Sequence, residues 1–183
     1  MKVLLRYLFI LLVFVVTNAH CSVIGVTGGY YSLNAKSDSS STSVSNLGAY
    51  RVFFIHEMKS TLSINIGYNI LFEKIVTGDS SFGFDLGLNY FHFGSSNTKN
   101  SKIGNVDIKV VQDWSPYVGL NFNQRQYQSI RSAYSGFGVI IGGMKNLINK
   151  MNLILEVRYV ILSGATTASA TELTLQTGIG LEY

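Results

Sequence analysis

Charge is scarce in this chain. Asp, Glu, Lys and Arg together make up 13% of 183 residues, about half the share of an ordinary soluble domain. So little charge excludes a disordered chain and a coiled coil, which are rich in charged residues. Proline occurs once and cysteine once. A single cysteine supports neither a disulfide framework nor a Cys-rich zinc site. The formal charge of +4 is modest and Lys and Arg are scattered singly, so the sequence builds no basic patch for nucleic acid. Beyond the N-terminal segment no apolar run is long enough for a membrane-spanning helix. Hydrophobic residues nevertheless reach 47%, with 11 Tyr, 11 Phe and 18 Gly. The length suits one domain.

Met1–Ala19 reads MKVLLRYLFILLVFVVTNA. Lys2 and Arg6 form a positive start, Tyr7–Val16 is an unbroken apolar run, and Thr17-Asn18-Ala19 resembles a small-x-small cleavage site. Residues 1–19 are therefore expected to be a secretory signal peptide, too short in its apolar part to span a bilayer. Residues 20–183 are expected to form the single domain. His20 occupies the position where a lipoprotein signal needs a small residue, so Cys21 reads as a thiol near the mature N-terminus.

The domain repeats a period of two. Leu173, Leu175, Ile179, Leu181 and Tyr183 alternate with Glu172, Thr174, Gln176, Gly178, Gly180 and Glu182. Leu153, Leu155, Val157, Tyr159 and Ile161 alternate with Asn152, Ile154, Glu156, Arg158 and Val160. The same alternation covers 62–73, 82–90, 117–123 and 136–142, and more loosely 23–32 and 47–56, where Arg51 shares a face with Ala49, Phe53 and Ile55. Successive strand side chains point to opposite faces, so each segment is a strand with one apolar and one polar face. Eight strands are expected, each long enough for the ~9–11 tilted residues of a membrane strand. The connectors 34–45, 76–80, 128–135 and 163–170 are polar, whereas 56–60 and 146–151 are short turns. The stretch 94–113 is long, and its Val106-Ile108-Val110 alternation is expected to extend the strand that follows.

Two architectures give eight alternating strands: a soluble barrel with its apolar face inward, and a membrane barrel with that face outward. A soluble exterior needs Lys and Glu. Here the polar face is Gly, Asn, Ser, Thr and Gln with isolated charges of both signs. Small residues fit the narrow lumen of an eight-stranded barrel, and opposite charges enclosed there can pair. Phe54, Tyr90 and Tyr183 fall near one set of strand ends, and Tyr30, Phe72 and Tyr159 near the other, as two interfacial girdles require. The fold class expected is all-β: an eight-stranded antiparallel up-and-down transmembrane β-barrel. Val157→Arg should then be costly and Gly180→Ser mild.

The phrases Ser115–Phe122, Gly136–Gly143, Asn152–Tyr159 and Gly178–Tyr183 resemble the strand–turn–strand phrases of the small outer-membrane β-barrel family, the OmpA/OmpX-like barrels. The resemblance covers 20–183. It implies outer-membrane lipid as surroundings and a last strand read by the barrel assembly machinery, with Leu175, Ile179, Leu181 and Tyr183 as the signal. Tyr183 stands where the family usually ends in Phe, and the long 94–113 segment departs from the family's short periplasmic turns.

An enzyme needs its acid–base groups at the outer mouth of such a barrel. No outer connector holds a His; His56 lies in an inner turn and His92 at the inner end of its strand. Asp38 and Asp79 stand at the outer mouth without an evident partner, and Ser39, Ser40 and Ser41 read as solvated loop. No metal-ligand spacing or nucleotide fingerprint is present, so neither catalysis nor a cofactor is expected. Arg51, Glu73, Asp85, Glu156, Arg158 and Glu172 are expected to share a lumen charge network. That network reads either as satisfied structural pairs or as a gate. The function expected is a structural or surface-interaction barrel, with a surface ligand reached through the outer loops. The alternative is a small transport barrel for small or apolar solutes.

Overall fold

The computed structural model describes residues 22–37, 40–74, 79–94, 98–103, 106–111, 113–128, 132–148, 150–164 and 168–183. The expected signal peptide, His20, Cys21, Asp38 and Ser39 lie outside these residues. Ten strands follow one another: β1 (Ser22–Ser37), β2 (Ser40–Lys59), β3 (Leu62–Lys74), β4 (Asp79–Phe91), β5 (Thr98–Ile103), β6 (Val106–Val111), β7 (Trp114–Tyr127), β8 (Ser132–Ile148), β9 (Met151–Ser163) and β10 (Ser169–Glu182). Eight of them close a ring in the order β1-β10-β9-β8-β7-β4-β3-β2, every pair antiparallel. The ring is closed by β1 against β10, from Val23–Glu182 to Lys36–Ser169.

The register sets the tilt. Stepping from Asn34 through Thr171, Ile161, Phe137, Phe122, Leu86, Ile66 and Phe54 returns to β1 at Ile24, ten residues from the start. A closed sheet with that stagger must tilt its strands by roughly 35–45° and leaves an interior that side chains can fill.

The faces are inverted relative to a soluble protein. Ile66, Phe84, Leu86, Leu88, Leu120, Val139, Ile141, Leu155, Val157 and Leu175 are exposed, while Asn65, Asp85, Asn89, Asn121, Asn123, Glu156 and Arg158 are buried. The outward apolar segments run nine to eleven residues, such as Phe82–Tyr90 and Leu173–Tyr183. At about 3.3 Å per residue and this tilt they form a band roughly 25 Å tall, the height of the apolar belt of a membrane barrel. Outward aromatics pair along it: Tyr50 meets Phe72 edge-on at 5.8 Å, and Phe54 lies 6.4 Å from Tyr183.

Three expectations are corrected. The 94–113 stretch does not extend β7; Val106–Val111 pairs with Thr98–Ile103 as a separate two-stranded hairpin. The chain bends at Asp113 before β7 begins, and β7 is already paired on both sides by β4 and β8, so no place in the wall remains for β6. The polar connector 34–45 is largely strand, because β1 and β2 stay paired out to Ser37 and Ser40. Beyond lipid the outward residues no longer need to be apolar, so strand continues without the apolar alternation. Finally, Gly180 faces a crowded interior. A Cβ there would stand 2.5 Å from Val23 Cγ1 and 3.0 Å from Ile154 Cδ1, so Gly180→Ser is not a mild change.

Candidate functional site

The lumen is layered along the barrel axis. At the end where Ser22 meets Tyr183, here the terminal end, Val23, Phe53, Ile55, Phe91, Tyr117, Ile140, Met144 and Ile154 form a buried apolar cluster. At the opposite, loop end, a second cluster is built around Tyr31, Leu33, Leu71, Tyr127, Tyr134, Val160 and Leu162. Arg51, Asp85, Glu156 and Arg158 lie between these two apolar layers.

Four of the six expected charges meet at one point. Arg51 grips Asp85 with two nitrogens: Nη2 donates to Oδ1 at 2.7 Å and Nε to Oδ2 at 3.1 Å. Arg158 Nε donates to Glu156 Oε2 at 3.0 Å, and its Nη1 lies 3.2 Å from Asp85 Oδ1. Arg51 Nη1 stands 3.8 Å from Glu156 Oε2 and closes the quartet. Two guanidinium groups face two carboxylates, so the quartet is neutral as a unit. Neutral groups add to it: Tyr117 Oη donates to Glu156 Oε1 at 2.5 Å, Asn69 Nδ2 to Asp85 Oδ2 at 2.5 Å, and Arg51 Nη2 to Asn65 Oδ1 at 3.2 Å; among the described residues Arg51 Nη1 and Arg158 Nη1 and Nη2 make ion-pair contacts or none, without a hydrogen bond. The charges come from β2, β4 and β9, so the quartet ties opposite parts of the wall together.

The other two expected residues sit nearer the loop end. Glu172 receives Arg125 Nε at 3.1 Å and Arg125 Nη2 at 3.3 Å, with Tyr127 Oη donating at 3.1 Å. Glu73 accepts from Ser81 Oγ and, at 2.9 Å, from the backbone N–H of Gln128. Arg125 and Glu172 form a second ion pair, and Arg125 reaches Asn123 Oδ1 at 3.2 Å.

Sequence reading missed Arg125 and Tyr127 as members of this interior. Arg125 and Tyr127 continue the inward series Asn121, Asn123 of β7. Their signal was masked because the outward series turns polar at Gln124 and Gln126, where the strand leaves the apolar band. Tyr117 was already placed on the inward face, but a tyrosine alone gives no hint of its carboxylate partner.

Glycines make room for the long cations. A Cβ on Gly67 of β3 would lie 2.3 Å from Arg51 Nε, and one on Gly83 of β4 would lie 2.6 Å from Arg125 Cδ. Each arginine lies over a neighbouring strand that lacks a side chain at that level. A small pocket of about 10 Å³ beside Val23, Ile55, Met144 and Asn152 lies near the terminal end and matches roughly one water.

The remaining expected residues are on or beyond the outer wall. Leu175, Ile179 and Leu181 are exposed on β10, and Tyr183 follows it with its N–H donating to Ser22 O at 3.1 Å. His56 is buried at the terminal end, 3.1 Å from Ser22 Oγ through Nδ1 and stacked on Phe54. Among the described residues no cluster of three or more His, Cys, Asp and Glu could hold a metal ion.

No family model and no curated protein matches the sequence. Solved structures do. The chain is similar to Neisserial surface protein A at 14% identity, covering 89% of this chain and 97% of that one, with a TM-score of 0.53. It is similar to the N-terminal β-barrel domain of Pseudomonas aeruginosa OprF at 7% identity, covering 90% and 98%, with a TM-score of 0.54. The outer membrane protein OprG from Pseudomonas aeruginosa aligns at 13% identity over 90% and 96%, with a TM-score of 0.52. Identities this low speak to the fold alone. By its ring of strands, its outward apolar band and these likenesses, the chain has the fold of the small outer-membrane proteins, a closed eight-stranded up-and-down transmembrane β-barrel.

Proposed function

We propose that this chain is an integral outer-membrane protein whose barrel anchors a surface-exposed loop end, with a structural or surface-interaction role and no catalysis. The observation that carries this reading is the ion quartet that spans the lumen. A neutral ion quartet is wedged between two apolar clusters, and a path for solutes would have to break buried pairs whose disruption typically costs about 3–5 kcal/mol. The charge network is thus a brace across the barrel rather than a gate. In this reading Met1–Ala19 directs export. Leu175, Ile179, Leu181 and Tyr183 on the last strand engage the barrel assembly machinery during insertion. Outer-membrane lipid covers the apolar band, and a surface ligand is met at the loop end.

Planar-bilayer recording and solute efflux from proteoliposomes test the reading. The refolded protein should leave conductance and efflux at the lipid baseline. Steady single-channel steps or efflux of small solutes would move the transport alternative ahead. Recovery of the native protein in the soluble periplasmic fraction would overturn the membrane assignment itself.

A further inference from the structure

We propose that the β5–β6 hairpin is a membrane-surface element, lying with one face against the anionic phospholipid of the leaflet at the terminal end of the barrel. The proposal rests on the membrane-barrel reading above, with the terminal end toward the periplasm, and adds a lipid partner to it.

The register of the hairpin sorts its residues by chemistry. Directly paired residues of an antiparallel ladder share a face. Ile103, Val106, Ile108 and Val110 therefore fall in one row, and Asn100, Lys102, Asp107 and Lys109 in the other. Lys99 shares the apolar row at its foot, opposite Val110. Among the described residues β5 and β6 pair only with each other. An isolated two-stranded hairpin is marginal in water unless one face is covered.

Position selects the surface. Only residues 112 and 113 separate Val111 from Trp114, so the foot of the hairpin is held within about 11 Å of Trp114. Trp114 begins the outward series of β7, is 39% exposed, and has Lys145 Nζ 5.8 Å from its ring centre. On the other side of the hairpin Tyr90 ends the outward series of β4 and Phe93 follows, both exposed. Aromatic residues at the end of an apolar band mark the membrane–water interface. The hairpin thus starts at headgroup depth. The barrel's apolar side chains at this end are already buried in the cluster around Phe91 and Tyr117, so they give the Ile/Val row no cover.

Charge selects the lipid. In a chain where charge is scarce, β5 and β6 carry Lys99, Lys102 and Lys109 against Asp107 alone. Asp107 stands opposite Lys102, whereas Lys99 and Lys109 face Val110 and Asn100 across the ladder, one and two pairs in from the foot. An apolar face combined with basic residues is the pattern of elements that lie in the plane of an interface, and each lysine near an anionic leaflet favours the bound state about fivefold.

The test uses the full barrel refolded in nanodiscs. Cys21→Ser removes the single native cysteine, and one environment-sensitive fluorophore is attached at Ile108→Cys or, separately, at Asn100→Cys. Discs of phosphatidylcholine are compared with discs of phosphatidylcholine and phosphatidylglycerol. In the anionic discs the label at 108 should shift to the blue and be shielded from acrylamide, while the label at 100 stays in water. The ratio of docked to undocked hairpin, read from the label at 108, should fall about fivefold with Lys99→Gln and again with Lys109→Gln, and should fall in about 1 M salt. Heat-modifiable gel mobility should not change, since neither lysine belongs to the barrel wall. Equal spectra in the two lipids, equal shielding at 100 and 108, or a ratio indifferent to both lysines would each overturn the proposal. Shielding confined to discs that hold two barrels would assign the row to a second copy and overturn it as well. Insertion is read separately by flotation with the discs. A barrel that inserts but whose hairpin ignores the lipid sinks only this proposal, whereas a chain that fails to insert sinks the reading beneath it.

Discussion

Removing the Arg158 guanidinium should cost the barrel several kcal/mol, and removing Glu156 with it should return part of that loss. Arg158 is 2% exposed and touches two carboxylates, Glu156 at 3.0 Å and Asp85 at 3.2 Å. Breaking a buried pair costs about 3–5 kcal/mol, mostly through the charge left behind. The low end applies to Arg158→Ala, because neither carboxylate is abandoned. Asp85 keeps the two-point grip of Arg51 and the amide of Asn69, and Glu156 keeps Tyr117 and the more distant Arg51 Nη1. About 3 kcal/mol is expected. Glu156→Ala alone should cost a similar amount, since it leaves Arg158 with Asp85 only and Tyr117 without its acceptor. The double variant removes one charge of each sign and keeps the Arg51–Asp85 pair. It should cost roughly 4 kcal/mol, leaving a coupling of about 2 kcal/mol, within the range seen for residues in one network. Urea unfolding of the four proteins in lipid vesicles measures the cycle. Single costs that add to within about 0.5 kcal/mol would mean that Glu156 and Arg158 act independently, and the brace would have to be abandoned.

Other expectations follow from the same geometry. Val157→Arg, on the lipid face of β9, should cost about 2–4 kcal/mol if it sits near the bilayer midplane, and urea unfolding against Ile161→Arg near the band's edge should show the smaller cost there. Gly67→Val should destabilise by about 1–3 kcal/mol through collision with Arg51, whereas Gly143→Ala, whose nearest neighbour is Trp114 at 3.4 Å, should stay within about 0.5 kcal/mol; equal costs would deny the seat under Arg51. Tyr117→Phe should cost about 1.5–3 kcal/mol, because Glu156 loses a bond to a charged acceptor, without opening the lumen to ions. Trp114 is the single tryptophan and lies 5.8 Å from Lys145 Nζ across its ring; its fluorescence should be quenched by lipids brominated near the headgroup and not by those brominated near the chain ends.

The lipid-facing half of this fold was legible in the sequence and the lumen-facing half only partly so. Lipid imposes one chemical demand at every second residue of every strand, so Leu153 to Ile161 and Phe82 to Tyr90 announce themselves by alternation alone. That signal stops where lipid stops. The strand end Ser40–Ser45 reads as a connector and Gln124–Tyr127 falls outside the alternating segment, because water accepts polar outward residues, although the backbone ladder continues. The lumen obeys a different rule. Each inward charge is visible as a charge, but its partner depends on register around the whole ring. Alternation could place Glu156 and Arg158 on one face, yet only closure brings Asp85 from β4 and Arg51 from β2 to the same point.

Glycine abundance has its explanation at the same level. Read along the chain, Gly67, Gly83 and Gly142 look like interruptions of good strands, since glycine weakens a strand interior. Read across the wall, each lies against a large lumen side chain: Gly67 against Arg51, Gly83 against Arg125, and Gly142 against Tyr117, with Cβ positions 2.3, 2.6 and 2.6 Å away. An eight-stranded lumen has little more than the volume of its own side chains. Three arginines and several tyrosines fit only where neighbouring strands give up theirs. The small residues and the buried charges are therefore one device. A closed barrel of this width can hold a cross-bracing ion network only if part of its wall is glycine, and a wall that is part glycine needs long side chains from opposite strands to fill the space it leaves. The volume that glycine provides is taken up by arginines that pair across the lumen.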